Sequence, residues 1–287
     1  MNDLYFFVSD LHGNVSRYEK LFYQIERKQP AAVFFGGDLL PSSLTYRANS
    51  KAPAVPFVDG FFAPSMKKLK QKMTLRYPEI FIILGNDDKR SEEATFLKYE
   101  EEGLWHYMHM KKKPLGKFTV YGYAMVPPTP FMLKDWERYD VSRYVDPGCI
   151  HPTEGFRSVL PDADVAFVTM KEELQQLAGD DDLSHAIFLF HSPPYKTKLD
   201  RAGLDGVKVD HVPVDVHVGS IAIKEFIEKR RPLLTLHGHI HESAKITGNW
   251  KEKIADTVAY SAAYEGPGLA LVQFNSKCFM SAERIIL

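Results

Sequence analysis

The chain has 287 residues, enough for one large α/β domain or two small ones with a sizeable buried core. Its 36 basic and 37 acidic residues leave a formal charge of −1, which argues against a general electrostatic grip on nucleic acid or on an anionic membrane. Two cysteines, Cys149 and Cys278, are too few for a disulfide framework, and no apolar run approaches the ~18 residues of a membrane span, so a cytoplasmic protein is expected.

Short apolar runs rich in aromatic and β-branched residues read as buried strands: LYFFV (4–8), AVFF (32–35), IFIIL (80–84), AIFLF (186–190) and LLTL (233–236). A helix is expected over 16–28, with Ser16 and Glu19 at capping-box spacing and Leu21, Phe22 and Ile25 on one face. Another runs over 220–231 from Ser220 to Pro232. Strand, helix, strand order implies a layered α/β architecture. The later runs 118–126 and 268–274 lack a long intervening helix and suggest a mixed second sheet. Two proline-rich stretches, about 41–64 and 127–163, interrupt the pattern; without repeats or linker-like tracts, they read as insertions in a single domain spanning 1–287.

The polar residues directly after each strand carry more information. Asp10 and His12 come after the first, Asp38 after the second, Asn86, Asp87 and Asp88 after the third, His191 after the fourth, and His239 and His241 after the fifth. In open α/β sheets the functional crevice lies at the carboxyl ends of the strands, so these segments would converge there. Imidazoles, carboxylates and a carboxamide without thiolates suit Mn, Fe, Co, Ni or Zn. Seven such ligands are too many for one ion and about right for two, with a carboxylate shared between them. Any one of these residues could be a turn former or a strand-end histidine; that explanation does not cover the ordered set. His237 is read as a packed residue.

DLH, GGD, GND, the isolated His191 and GHIH stand in the order found in the calcineurin-like metallophosphoesterase superfamily, which this sequence resembles over residues 10 to 241. The resemblance implies an α/β fold of two central mixed β-sheets sandwiched between helices, with a dinuclear metal site at the C-terminal ends of the strands. It places Asp10, His12 and His241 on one metal and Asn86, His191 and His239 on the other, with Asp38 bridging. The implied activity is hydrolysis of small phosphate esters by a hydroxide that bridges the metals. Many members carry a histidine directly after the Gly-Asn pair, where this chain has Asp87; Asp88, the acid that would orient that histidine, is retained. Asp87, Asp88 and Asn86 are therefore the catalytic candidates, and the missing histidine favours a phosphodiester over a monoester. Asn14 is a candidate phosphate donor from its position after Gly13.

Within 127–163, Phe131, Trp136 and Tyr139, preceded by Tyr123, could cover a substrate, with Lys134 and Arg138 for a second phosphate; they could equally form core or a homodimer surface. Lys111, Lys112 and Lys113 read as a solvated turn. The alternative function is a protein-binding scaffold of the same fold with weak or no catalysis, and the complete ligand set speaks against it.

Overall fold

In the computed structural model, which describes residues 3–42, 55–161 and 164–287, each of the five expected strands forms. The first part of the chain lays down β1 (Leu4–Val8), α1 (Val15–Lys28), β2 (Ala32–Gly36), α2 (Ala63–Met73), β3 (Glu79–Ile83), α3 (Glu93–Glu101), β4 (His106–Tyr107), β5 (Lys111–Leu115) and β6 (Phe118–Tyr123). Next come α4 (Met170–Ala178), β7 (Ala186–Phe190), the short β8 (Lys208–Val209) and β9 (Val212–Pro213), α5 (Ile221–Arg230), β10 (Leu234–His237) and α6 (Ser243–Thr247). The chain closes with β11 (Lys251–Ile254), β12 (Thr257–Ser261), β13 (Ala270–Asn275) and β14 (Cys278–Ile286).

Two six-stranded sheets result, in the orders β14-β13-β1-β2-β3-β4 and β11-β12-β10-β7-β6-β5. In the first, β1 to β4 run parallel and β13 and β14 add antiparallel strands; in the second, β12, β10, β7 and β6 run parallel between antiparallel β11 and β5. Both sheets are mixed, and helices flank them. The run at 268–274, expected in the second sheet, instead pairs with β1 in the first. Its register was not visible in its composition, because an apolar strand fits either sheet.

Strands β2 and β7 are buried along their whole length, since one face meets the opposite sheet and the other is covered by helices. Phe34 of β2 stacks on Phe81 of β3 at 5.3 Å between ring centres, and Tyr121 of β6 on Phe188 of β7 at 4.5 Å. Each such side chain contributes about 1.5–3 kcal/mol by leaving water, so the central strands are the rigid part of the molecule. β2 lies near β7 and β3 near β6 across the sandwich. That proximity brings the loops after the parallel strands of both sheets to one edge.

Some local expectations are corrected. α1 is capped by Asn14, whose Oδ1 accepts from the amides of Ser16 and Arg17 at 3.1 and 3.4 Å, and not by Ser16. Asn competes well as an N-cap, and its position ahead of Val15 starts the helix two residues earlier. Lys111–Lys113 form the edge strand β5 and not a turn; its lysines and Pro114 suit a strand whose outer side must not pair with another chain. Of the stretch 41–64, residues 43–54 lie outside the described residues, while Val58–Phe62 form a π-helical turn that runs into α2.

Residues 127–161 have little regular structure; 134–140 are buried, while most of 141–161 is exposed or half-buried. Lys134 and Arg138, expected to be available for a phosphate, are buried and paired, Lys134 with Glu137 at 2.6 Å and Arg138 with Glu173 at 3.1 Å. Trp136 and Tyr139 belong to the interior, and Phe131 is exposed.

Candidate metal centre

The loops that leave β1, β2 and β10 turn sharply. Asp10, His12, Asp38 and His239 all have positive φ, at 57°, 46°, 53° and 74°. Outside glycine, Asp, Asn and His are the residues that most often adopt this left-handed region, at a cost of about 1–3 kcal/mol each when the surroundings impose it. The strain is held by backbone bonds that continue the sheet, Asp10 N to Gly37 O at 2.9 Å and His12 N to Asp38 O at 2.8 Å. The turns swing these side chains inward, over the strand ends.

Asp10, His12, Asp38 and His241 then offer ligand atoms within 4.8 Å of one another, as do Asp38, His191 and His239. Asp38 belongs to both groups. Asn86 joins the second, with Oδ1 3.0 Å from His191 Nε2. All seven residues named from the sequence thus meet in one place.

Two buried carboxylates at the centre need compensation. Among the described residues, the cationic side chains within 4.0 Å of Asp10 and Asp38 are histidines: His241 at 3.2 Å from Asp10, and His191 and His12 at 3.3 and 4.0 Å from Asp38. Burial would raise the Asp10 carboxyl, but the hydrogen bond and charge of His241 overcome it and hold the group at about 2. Burial acts the same way on Asp38, and His191, with its hydrogen bond and charge, then His12 and His239 keep it far below the usual carboxylate range. The converse effect is seen on the rings. Burial disfavours imidazolium at His191 and His241, but Asp38 and Asp10 respectively raise each to about 9, while His239 is driven by burial and by His191 down to about 3. The site demands positive charge, and divalent cations would supply it in place of those protons.

The donor geometry fits cations as well. His12 Nε2 and His241 Nε2 face each other at 3.1 Å, so a cation that displaced the proton between them would meet a lone pair from each ring. His191 Nδ1 lies 2.7 Å from Gly36 O, which fixes the proton there and leaves Nε2 as the ligand atom. Ser9 Oγ donates to Asp10 Oδ2, and the His239 amide donates to Asp10 Oδ1 at 3.0 Å, orienting that carboxylate. Hard oxygen and borderline nitrogen donors without sulfur match divalent Mn, Fe, Co, Ni or Zn.

The remaining candidates separate. Asp87 is partly open to solvent, its amide donates to Asp38 Oδ1 at 2.8 Å, and its Oδ2 lies 3.5 Å from His12 Nδ1. Burial, then the Asp38 charge, raises its carboxyl. Asp88 is wholly buried and accepts from the amides of Leu39, Leu40 and Gly85 at 3.1, 2.7 and 2.9 Å, so it ties the loop after β2 to the loop after β3. Asn14 stands at the head of α1 with its carboxamide oxygen engaged in the cap. His237 is packed, between Ser192 O at 2.9 Å and Thr235 Oγ1 at 2.8 Å.

The sequence model of the calcineurin-like phosphoesterases matches residues 5–243. The chain belongs to that family. As a member it is a metal-dependent phosphoesterase, consistent with its Asp and His clusters. Similar solved structures include a protein of Thermus thermophilus (14% identity, 100% of this chain and 99% of that one, TM-score 0.56). Another is a dimetal phosphatase from Danio rerio (10% identity, 99% and 98%, TM-score 0.54). At such identities they establish the shared fold. No curated protein matches the sequence. No helix among the described residues is long and apolar enough to cross a membrane.

Sequence reasoning about this phosphoesterase missed several supports of the centre. Ser9 was legible only as the residue before Asp10. Trp136 was offered as a substrate cover or as part of a core or interface, without a partner; its Nε1 donates to Asp88 O at 2.7 Å, so the segment after β6 buttresses the loop that carries Asn86. Gly85 has a steric reason to be glycine: a Cβ there would lie 2.3 Å from Asp38 Oδ1 and 2.5 Å from Asp38 N. Gly85→Ala must therefore displace Asp38, and metal affinity is expected to fall about 10–100-fold, the usual cost of misplacing a ligand's support. Metal retained after dialysis against graded chelator measures it; unchanged retention would show that Asp38 has room to move.

Proposed function

We propose that this phosphoesterase hydrolyses small phosphate esters with two divalent ions, one held by Asp10, His12, Asp38 and His241 and the other by Asp38, Asn86, His191 and His239. The observation that carries the reading is the membership of Asp38 in both ligand groups. When bound, such a pair supplies a nucleophile deprotonated near neutral pH and neutralises charge on the phosphoryl group. The chain's own part is to fix the ligands on rigid strand ends and to orient Asp10 through Ser9 and the His239 amide.

Diesters are favoured over monoesters. Asp87 sits beside His12, and its carboxylate opposes a dianionic monoester more than a monoanionic diester. No histidine follows Asn86 to protonate a poor leaving group, and a diester with a good one needs less help. The metal-loaded enzyme assayed on bis(4-nitrophenyl) phosphate and 4-nitrophenyl phosphate should show kcat/KM at least about tenfold higher for the diester, which corresponds to about 1.4 kcal/mol of barrier. Asp87→His should move the ratio toward the monoester. Turnover of neither compound with Mn, Fe, Co, Ni or Zn supplied would refute the proposed activity.

A further inference from the structure

A cleft of about 490 Å³ opens directly beside the metal centre, lined by His241, Lys245, Tyr264, Gly266, Arg284 and Ile286 among others. His241 belongs both to this cleft and to the first ligand group. The other walls come from α6, the loop after β12 and the last strand β14, none of which contributes a ligand. Any ester with its phosphorus at the metals and a substituent directed past His241 would enter here.

Arg284 gives the cleft a cationic group, whereas its other charged wall residues, Lys245 and Glu265, pair with each other. Arg284 has no carboxylate within salt-bridge distance among the described residues; its Nη2 donates to Ala263 O, its Nε is buried without a partner, and its guanidinium lies 5.7 Å from the centre of the Tyr264 ring. Arg17 lies behind it, anchored to Asp10 O and Gly266 O at 2.6 Å each, also with a buried Nε that finds no acceptor. The Asp10 carboxylate is close enough to act on the charge of both arginines. At the rim, Glu265 is held by Lys245 at 3.0 Å, so its charge is answered. A guanidinium held by one backbone bond against an aromatic ring, on the wall of a cleft, is suited to receive a planar or tetrahedral anion.

We propose that this cleft recognises a second anionic group, a carboxylate or phosphate, on the portion of the ester that is retained beyond the scissile phosphorus, with Arg284 as its receptor and Tyr264 as the apolar wall beside it. This rests on the phosphoesterase reading above. The enzyme thereby selects esters with charge at both ends over simple aryl esters. Ile286, 48% exposed at the mouth, gives the linking carbon skeleton an apolar surface.

Two diesters that release the same 4-nitrophenolate separate the ideas, phenyl 4-nitrophenyl phosphate and 4-carboxyphenyl 4-nitrophenyl phosphate. The wild-type enzyme should prefer the carboxylated ester by about tenfold or more in kcat/KM, mainly through KM, as a charge-assisted hydrogen bond warrants. Arg284→Gln should bring the ratio of the two close to one, whatever it does to either rate alone, and Arg284→Lys should restore part of the preference. Measurable turnover of the phenyl ester reports that each variant is folded. Where a variant fails to fold, Tyr264→Ala and inhibition of the wild type by 4-carboxyphenyl phosphate against phenyl phosphate supply the same comparison. A wild-type ratio near one, or a preference that survives Arg284→Gln, overturns the proposal while leaving the hydrolase reading intact. Hydrolysis of neither ester overturns both.

Discussion

Asp38→Asn is expected to lower kcat/KM on an aryl phosphodiester by about a thousandfold or more, equivalent to at least about 4 kcal/mol of transition-state stabilisation. The substitution keeps the size of the side chain and an oxygen able to accept from the Asp87 amide, now at 2.8 Å, so the loop after β3 keeps its anchor. What it removes is the negative charge common to the two ligand groups. Metal analysis of the purified variant should show loss of metal from both groups, whereas His12→Ala should weaken chiefly the first and His191→Ala chiefly the second. The apo protein should not be destabilised to match, since Asp38 is a buried charge whose cationic neighbours within 4.0 Å, among the described residues, are histidines, and the Asp87 amide bond is kept. An Asp38→Asn enzyme with full metal content and wild-type turnover would mean that the shared position is incidental.

The second large effect lies away from the centre. Lys134→Met should destabilise the fold by about 3–5 kcal/mol, because it leaves the Glu137 carboxylate buried with its cation gone. Both side chains are fully buried, 2.6 Å apart, and each is further satisfied: Lys134 Nζ donates to Thr129 O at 2.9 Å, and Glu137 accepts from the Thr129 amide at 3.0 Å. Burial raises the Glu137 carboxyl to about 7 even with the lysine present, so without it the acid is expected to take up a proton. Adding Glu137→Leu to Lys134→Met should recover much of the loss, since the costly species is the single unpaired group. Denaturant unfolding of the two single variants and the double variant measures the coupling. Because this pair shapes the turn that presents Trp136 to Asp88, the single variants should also lower activity. Single variants with wild-type midpoints would show that the segment relaxes and admits water to the pair.

The contrast between these two sites reflects what a one-dimensional pattern carries. Asp38 was legible because a strand buried on both faces leaves an unbroken apolar run, and the polar residue that follows it stands where the strand ends. The same reasoning located Asp10, Asn86, His191 and His239 from the ends of runs alone. Lys134 and Glu137 had no such signature. In a proline-rich, irregular stretch, a lysine and a glutamate three residues apart look like ordinary surface charges, and only the depth at which the segment packs turns them into a buried pair. The edge strand Lys111–Leu115 was missed for a related reason: solvent on its outer side selects charge over the apolar alternation that marks a strand.

The sequence by itself determined the strand ends, the chemistry of the seven side chains that stand after them, and the family to which that order belongs. Local backbone preference and hydrophobic periodicity act over a few residues and are written directly in the chain. Only the tertiary structure decided that β13 joins the first sheet, that Trp136 turns inward to hold the loop of Asn86, and that Arg284, near the C-terminal end of the chain, lines a cleft beside His241. Those outcomes depend on which apolar surfaces meet, and burial is a property of the assembled sandwich that no short segment possesses alone.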